Sequence, residues 1–409
     1  MSKQTFVIVG AALAGAKAAG ELRERGFEGD LILIGAEPER PYERPPLSKD
    51  YLRGESEREK AYVHPEDFYR EHDIALRSGA EATAIDPGAG RVTLAGGEEV
   101  AFDKLLLATG AEPRRIPVAG AELEGVCYLR TMADSDALRE RMREGARVAV
   151  VGGGWIGSEV AASARQKGLE VTLIDPLSVP YETILGVEIG SFYRDVHAAQ
   201  GVELLLGQGV ESFEGQGRLE RVKTTGGQIV ECDFAVVGIG VAPRVDLARA
   251  AGLEVDNGIV LDASLRSSAP NVFAAGDVAN PWHPFFGQHV RVEHWANALN
   301  QGPAAARAML GEDVNYDRIP YFFSDQYDVG MEYSGHAPTW DEVVFRGDRE
   351  GGEFVAFWLK DSRVIAGMNV NVWDVNDQVQ ALIRSRREID RAALQSSDVS
   401  LEEVAGSPA

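Results

Sequence analysis

Cysteine is scarce in this chain of 409 residues: Cys127 and Cys232 are the only two, and they stand far apart. No redox-active cysteine pair is available, and nothing near either thiol would lower its pKa, so both read as small buried hydrophobes. Long apolar runs are missing as well. The best candidate, Phe234 to Val241, is short and broken by glycine, well below the roughly 18 residues of a membrane span. Basic residues are outnumbered, with 41 Lys and Arg against 64 Asp and Glu, and the net charge of −23 argues against a nucleic-acid partner. The N-terminus runs Met-Ser-Lys-Gln straight into a strand, which leaves no room for a signal peptide and implies a cytoplasmic protein. The length requires two or three domains of about 100–200 residues each.

Glycine, by contrast, is placed with purpose. Thr5-Phe-Val-Ile-Val9 leads into Gly10-Ala-Ala12-Leu13-Ala14-Gly15, then a helical stretch to Arg25, a second strand Leu31-Ile-Leu-Ile34, and Glu37. The same order recurs in Arg147-Val-Ala-Val-Val151, Gly152-Gly-Gly154-Trp155-Ile156-Gly157, a helix to about Lys167, and Val171-Thr-Leu-Ile174 ending in Asp175. In each, an apolar strand delivers the chain to a tight turn whose backbone can approach a pyrophosphate. The helix N-terminus supplies N–H groups and partial positive charge, and the acid after the second strand can accept from ribose hydroxyls. One such turn is weak evidence; strand, turn, helix, strand and acid in order, twice, is strong. Two dinucleotides without a cysteine pair point to a flavoenzyme that takes hydride from a nicotinamide. At the first turn Ala12 stands where a glycine is usual, and its methyl narrows the gap for the pyrophosphate. Asp175-Pro-Leu-Ser178 carries an acid and no arginine, which suits free ribose hydroxyls and favours NADH over NADPH.

The chain divides accordingly. Residues 1–112 alternate strands and helices and close on Lys104-Leu-Leu-Leu-Ala-Thr109-Gly110. Residues 113–242 carry the second fingerprint and leave through Gly238-Ile-Gly240, as a domain inserted into the first. Residues 243–320 return to the first domain with Asn271-Val-Phe-Ala-Ala-Gly276-Asp277. The last part, 321–409, differs in pattern. Gly351 to Leu359 and Arg363 to Met368 read as antiparallel strands, Asp374 to about Arg387 as a helix, and the polar end from Ser396 to Ala409 as loosely ordered. The fold class is therefore α/β, with two Rossmann-like domains plus a C-terminal α+β domain.

Several segments resemble one family closely: Pro41-Tyr-Glu-Arg-Pro-Pro-Leu-Ser-Lys49, Ala108-Thr-Gly110, Gly152-Gly-Gly-Trp-Ile-Gly-Ser-Glu159, Gly276-Asp-Val278, Arg291-Val-Glu-His-Trp-Ala-Asn-Ala-Leu-Asn300 and Phe323-Ser-Asp-Gln-Tyr-Asp328. Over essentially its whole length the chain is similar to the two-dinucleotide flavoprotein reductases of the glutathione-reductase fold, within them the ferredoxin reductases that serve bacterial oxygenases. The resemblance implies FAD along Gly10, Ala12, Leu13, Ala14, Gly15, Glu37, Arg44, Lys49, the backbone at Ala82, Thr109, Gly110, Arg130, Asp277, Glu293 and Trp295. It implies NAD(H) at Gly152, Gly154, Trp155, Ile156, Gly157, Glu159, Asp175, Gly238 and Gly240. Lys49 and Glu159 are the expected catalytic residues. A cation at Lys49 favours the negative charge that develops on a reduced flavin, and Glu159 is placed to pair with Lys49 and to hydrogen-bond the nicotinamide amide. Phe323 stands where relatives carry a tryptophan beside the flavin. No metal site is expected.

Disulfide reductases of this fold need a Cys-x-x-x-x-Cys pair near the first cofactor helix, or a cysteine within the stretch occupied here by Pro41 to Lys49, and this chain has neither. A single-electron acceptor is left, and an iron–sulfur ferredoxin of [2Fe-2S] type fits. Such partners are usually acidic, so a local basic site is expected at Arg40, Arg44, Lys49 and Arg53, or at Arg384, Arg386, Arg387 and Arg391. A rubredoxin reductase, another NADH-dependent flavoprotein dehydrogenase and a flavoprotein interaction module remain as alternatives. Asp374 to Arg391 shows no broad apolar face with an aromatic edge, which argues against a membrane-bound quinone reductase.

Overall fold

The computed structural model of the chain describes residues 3–406. The chain clusters into two compact units, one made of the chain up to Arg44 with Glu57–Glu112 and Val241–Arg318, the other of Pro45–Ser56, Pro113–Gly240 and the chain from Ile319.

The first unit is built on a five-stranded parallel sheet in the order Val272–Ala274, Lys104–Leu107, Thr5–Val9, Asp30–Gly35, Ile74–Ser78. These strands are nearly continuous apolar runs because helices cover both faces of such a sheet. Phe6, Ile8, Leu33, Leu106 and Phe273 are fully buried in it. The helix Leu13–Glu24 follows the first strand and packs closely on the helix Trp295–Leu310. A side chain at Gly302 would lie 2.3 Å from the carbonyl oxygen of Ala14, so the contact depends on that glycine.

The second unit repeats the plan with a parallel sheet ordered Glu203–Leu206, Glu170–Asp175, Arg147–Val151, Phe234–Val237, Val126–Cys127. It also holds a five-stranded antiparallel sheet, Tyr321–Gln326, Val329–Gly335, Arg363–Val370, Glu353–Lys360 and Glu342–Asp348 in spatial order. Trp358 anchors the core of that sheet, fully buried, with its indole Nε1 donating to Leu185 O at 3.2 Å.

Three expectations need correction. The C-terminal helix is shorter than Asp374 to Arg387: it spans Asn376–Ser385, because Asp374 and Arg386 both take left-handed φ, 62° and 52°, which the helix cannot contain. The end from Ser396 is not loose as far as Gly406. Leu401–Gly406 is helical with Leu401 and Val404 buried, and Arg346 Nη2 donates to Val399 O at 2.6 Å; residues 407–409 lie outside the described residues. Cys127 is only half-buried, on an edge strand, whereas Cys232 is buried and its thiol is pushed up to about 12 by burial, with Asp233 adding to the shift. Among the described residues no helix is long and apolar enough to cross a membrane.

Candidate active site

The two glycine turns are built alike. Gly152 has φ +101°, and a side chain there would lie 2.5 Å from Gly238 O; one at Gly157 would lie 1.9 Å from Gly152 O. Gly10 and Gly15 repeat this geometry against Ala108 O and Gly10 O. The middle position is different, because it is the N-cap and has extended backbone in both turns: φ −115°, ψ −160° at Ala12 and φ −82°, ψ −173° at Gly154. An L-residue fits that backbone without strain, so the methyl of Ala12 costs only space in front of the turn. Nothing lies within 4 Å of where a side chain at Gly154 would start. Neither helix, Leu13–Glu24 or Trp155–Gln166, has a side-chain cap or an acid in its first turn. Their first N–H groups therefore face outward with the positive end of the helix dipole, which fits a pyrophosphate in each place.

Around the first turn, Glu37 accepts from the Tyr42 hydroxyl and from Arg44 Nη2, the latter at 3.2 Å, so acid and base meet just beyond the strand Asp30–Gly35. Thr109 Oγ1 donates to Arg244 O at 2.9 Å, and Gly110 takes φ +70° to turn the chain after Lys104–Leu107. Asp277 follows Gly276, whose N–H donates to Gln301 Oε1 at 2.9 Å. Trp295 opens its helix, and Glu293 is ion-paired with Arg291. Ala82 begins a strand at an irregularity in its pairing with Arg91–Leu94. All of these belong to the first unit, as do Gly10 to Gly15; Lys49 and Arg130 belong to the second.

At the second turn, Asp175 is buried, and its carboxylate accepts from the N–H of Gly153 and from Leu177 N at 2.7 Å. Trp155 packs on Tyr181 with ring centroids 4.3 Å apart and on Phe322 at 4.6 Å. Ile156, in the first turn of the helix Trp155–Gln166, and Ile239, between Gly238 and Gly240, are both exposed. Gly238 and Gly240 form the turn after Phe234–Val237, and Gly240 has φ +95°.

Lys49 and Glu159 meet within this second unit. Lys49 Nζ lies 2.7 Å from Glu159 Oε2 and 5.9 Å from the centroid of the Phe323 ring. Glu159 is 5% exposed and sits one turn into its helix. Its Oε2 also accepts from Ser48 Oγ at 2.5 Å, and its Oε1 from Ser324 Oγ at 2.7 Å. The loop that carries Lys49 is fixed in turn: Ser163 Oγ donates to Ser48 O at 2.6 Å, Ser135 Oγ to Leu47 O at 2.9 Å, and Tyr51 OH to Asp136 Oδ1 at 2.7 Å. Taking this ion pair out of water costs energy, and the Ser48 and Ser324 hydroxyls that donate to Glu159 offset part of that cost. Ser48, Ser324 and Gln326 stand in segments that carry the family resemblance but had no role assigned from sequence, and Tyr181 and His197 were not singled out. One trace of them is legible: in Tyr321–Gln326, Ser324 and Gln326 share the period-two inner face with the buried Phe322.

The basic loop does not present free charge. Arg40 is paired with Glu59, Arg44 with Glu37, Lys49 with Glu159, and Arg53 with Glu55 at 2.7 Å. Arg384, Arg386, Arg387 and Arg391 are exposed. Arg391 reaches Glu342 at 2.9 Å, and Arg387 Nη1 reaches the carbonyls of Ala405 and Gly406 at 3.4 and 3.5 Å. Among the described residues no group of His, Cys, Asp or Glu is placed to hold a metal ion.

The family model described as pyridine nucleotide-disulphide oxidoreductase matches residues 4–302. The chain belongs to the pyridine nucleotide-disulphide oxidoreductase family. A second model, the reductase C-terminal domain, matches residues 321–405 and places this oxidoreductase among members that carry such a domain. It is 42% identical over 379 residues to the anthranilate 1,2-dioxygenase system ferredoxin–NAD(+) reductase component of Burkholderia cepacia, covering 91% of this chain and 92% of that one. It is 35% identical to putidaredoxin reductase of Pseudomonas putida over 98% of this chain and 97% of the other. The crystal structure of the covalent putidaredoxin reductase–putidaredoxin complex superposes with a TM-score of 0.95 at 34% identity, covering 99% of both chains. This oxidoreductase has two glycine turns and two parallel sheets but no redox-active cysteine pair.

Proposed function

We propose that this chain is a flavoprotein reductase that passes electrons from NADH through FAD to an iron–sulfur ferredoxin serving an oxygenase. The observation that carries the reading is the pair of glycine turns, each presenting an uncapped helix N-terminus at the end of a parallel sheet within one chain. Two of the relatives are named as ferredoxin–NAD(+) reductase components of dioxygenases, which supports the same acceptor. FAD, when bound, supplies the exchange between a two-electron hydride donor and a one-electron acceptor.

In this reading residues 1–112 and 243–320 hold FAD, 113–242 hold NADH, and 321–409 form the C-terminal domain. The first turn and the Glu37–Arg44 pair bind the adenosine half of FAD, and the second turn binds NADH. Lys49 provides positive charge where the electron-rich cofactor forms, and Glu159 holds Lys49 in place and accepts from the nicotinamide amide. The exposed arginines from Arg384 to Arg391 receive an acidic [2Fe-2S] ferredoxin, and the protein works in the cytoplasm.

Purified protein is expected to be yellow, to release one FAD per chain on acid precipitation, and to reduce a [2Fe-2S] ferredoxin with NADH. A colourless protein that FAD cannot reconstitute overturns the reading. Ferricyanide reduction without any ferredoxin reduction overturns the acceptor alone.

A further inference from the structure

The Lys49–Glu159 pair is one end of a longer polar chain inside the same unit. Tyr327 OH lies 3.1 Å from His197 Nδ1, and His197 Nε2 lies 3.0 Å from Gln326 Oε1. Gln326 Nε2 donates to Tyr181 OH at 2.8 Å and to Ser324 Oγ at 3.3 Å. Ser324 Oγ donates to Glu159 Oε1 at 2.7 Å. His197, Ser324, Gln326 and Tyr181 are all at most 2% exposed.

The partners leave one proton arrangement for a neutral ring. Gln326 Oε1 only accepts, so the imidazole proton sits on Nε2 and Nδ1 accepts from Tyr327. Burial keeps the ring neutral, lowering His197 to about 4, against a smaller opposing effect of the Gln326 hydrogen bond. Because Gln326 donates to Ser324, the Ser324 hydroxyl hydrogen is directed at the carboxylate. From Tyr327 to Ser324, each link donates toward Glu159, and hydrogen bonds aligned in this way polarise one another. The amide in the middle does not readily relay protons, so the chain orients and does not conduct. It also divides the work at Glu159: Oε2 takes Lys49 and Ser48, while Oε1 is held only by Ser324 among the hydrogen bonds described.

We propose that Ser324, Gln326 and His197 are positioning residues, whose one-way hydrogen-bond chain fixes the Glu159 carboxylate at the point where it meets Lys49. The inference rests on the reading of Lys49 and Glu159 as the groups that face the cofactors. It extends the site into the C-terminal antiparallel sheet and the helix Glu182–Ala199, neither of which that reading uses.

The test uses FAD-loaded protein and stopped-flow reduction by NADH, with the visible spectrum of the bound flavin as a readout independent of turnover. Ser324→Ala is expected to lower the limiting rate of flavin reduction about tenfold, the usual reach of a lost hydrogen bond to a charged group, and His197→Asn, which acts through Gln326 and Ser324, to lower it by roughly threefold or more. The NADH dissociation constant should stay within about twofold, and both variants should shift the flavin absorption in the same direction. His197→Gln places an amide nitrogen where Nε2 stood and should restore wild-type rate and spectrum; asparagine cannot reach that position. This second pair decides the question even if Ser324→Ala fails to fold. Equal rates and spectra for the glutamine and asparagine variants overturn the chain as a positioning device. Lys49→Ala separates the two levels. If it reduces at the wild-type rate, the underlying site reading falls. If it is slow while the Ser324 and His197 variants behave as wild type, only the chain falls.

Discussion

The carboxylate of Asp175 accepts the backbone N–H of Gly153, the second residue of the glycine turn that Asp175 follows by a strand. Together with the bond from Leu177 N at 2.7 Å, this makes Asp175 a brace for the turn as well as a negative charge beside it. NADH is expected to exceed NADPH in kcat/KM by at least about tenfold, roughly 1.4 kcal/mol. Asp175→Asn should narrow that ratio and raise KM for NADH, because its amide group would oppose an N–H donor. Steady-state kinetics with both nucleotides measure this. Equal use of the two by the wild type would mean that the acid does not face the ribose.

Lys49→Ala should keep stoichiometric FAD and slow flavin reduction, since the charge acts on the reduced state more than on binding. Glu159→Ala should affect the same step. Flavin content after gel filtration, together with single-turnover rates, separates this from a structural role, in which FAD would be lost and the remaining holoprotein would react normally.

Reversal of the exposed Arg386 and Arg387 to Glu should raise KM for an acidic ferredoxin severalfold and leave NADH-to-ferricyanide activity intact. It should also flatten the salt dependence, because screening over about 10 Å at 0.1 M then acts on fewer charges. Pairing does not separate the two clusters: Arg40, Arg44, Lys49 and Arg53 each have a carboxylate partner, and so does Arg391 in Glu342. Unchanged ferredoxin kinetics in the double variant would reduce the C-terminal cluster to a solvated face.

Trp358→Phe should cost about 1–3 kcal/mol, as it leaves the Leu185 carbonyl without the indole donor and opens space in a closed core. Denaturant unfolding gives the number. A loss below a few tenths of a kcal/mol would show that the core closes over the site.

Acid should destabilise the fold through His197. Its folded value, about 4, lies below the 6.5 of an unconstrained imidazole, so the unfolded chain takes up a proton that the native one refuses. Stability from this group is whole above about pH 6.5, falls as pH drops toward 4, and levels off below. The total is on the order of 3 kcal/mol. Unfolding curves at neutral pH and near pH 4.5, compared with those of His197→Gln, isolate the contribution.

The two cofactor turns were legible in the sequence because every part of them is local. Apolar strand, glycine turn, helix and acid fall within about thirty residues, each written in the periodicity of its own element. The lack of a Cys-x-x-x-x-Cys pair was equally plain, since folding cannot supply a cysteine at positions where the sequence has none. The pairing of Lys49 with Glu159 could be expected from the family resemblance, but its geometry, 2.7 Å with Ser48 and Ser324 also donating to the carboxylate, could not. It depends on a loop, a helix and a strand separated by more than a hundred residues in sequence. Ser324 and Gln326 lie in a segment that carries the family resemblance, but neither their roles nor that of His197 could be read from it, because a polar residue on an inner face looks like any break in a hydrophobic pattern until its partner is known. The charge of the first loop could not be judged from sequence alone: its cations alternate with Glu39, Glu43 and Asp50, and only the tertiary structure pairs Arg40 with Glu59, Arg44 with Glu37 and Lys49 with Glu159. Composition and short-range pattern determine elements and turns, whereas the pairing of charges and the direction of buried hydrogen bonds are properties of three-dimensional neighbours.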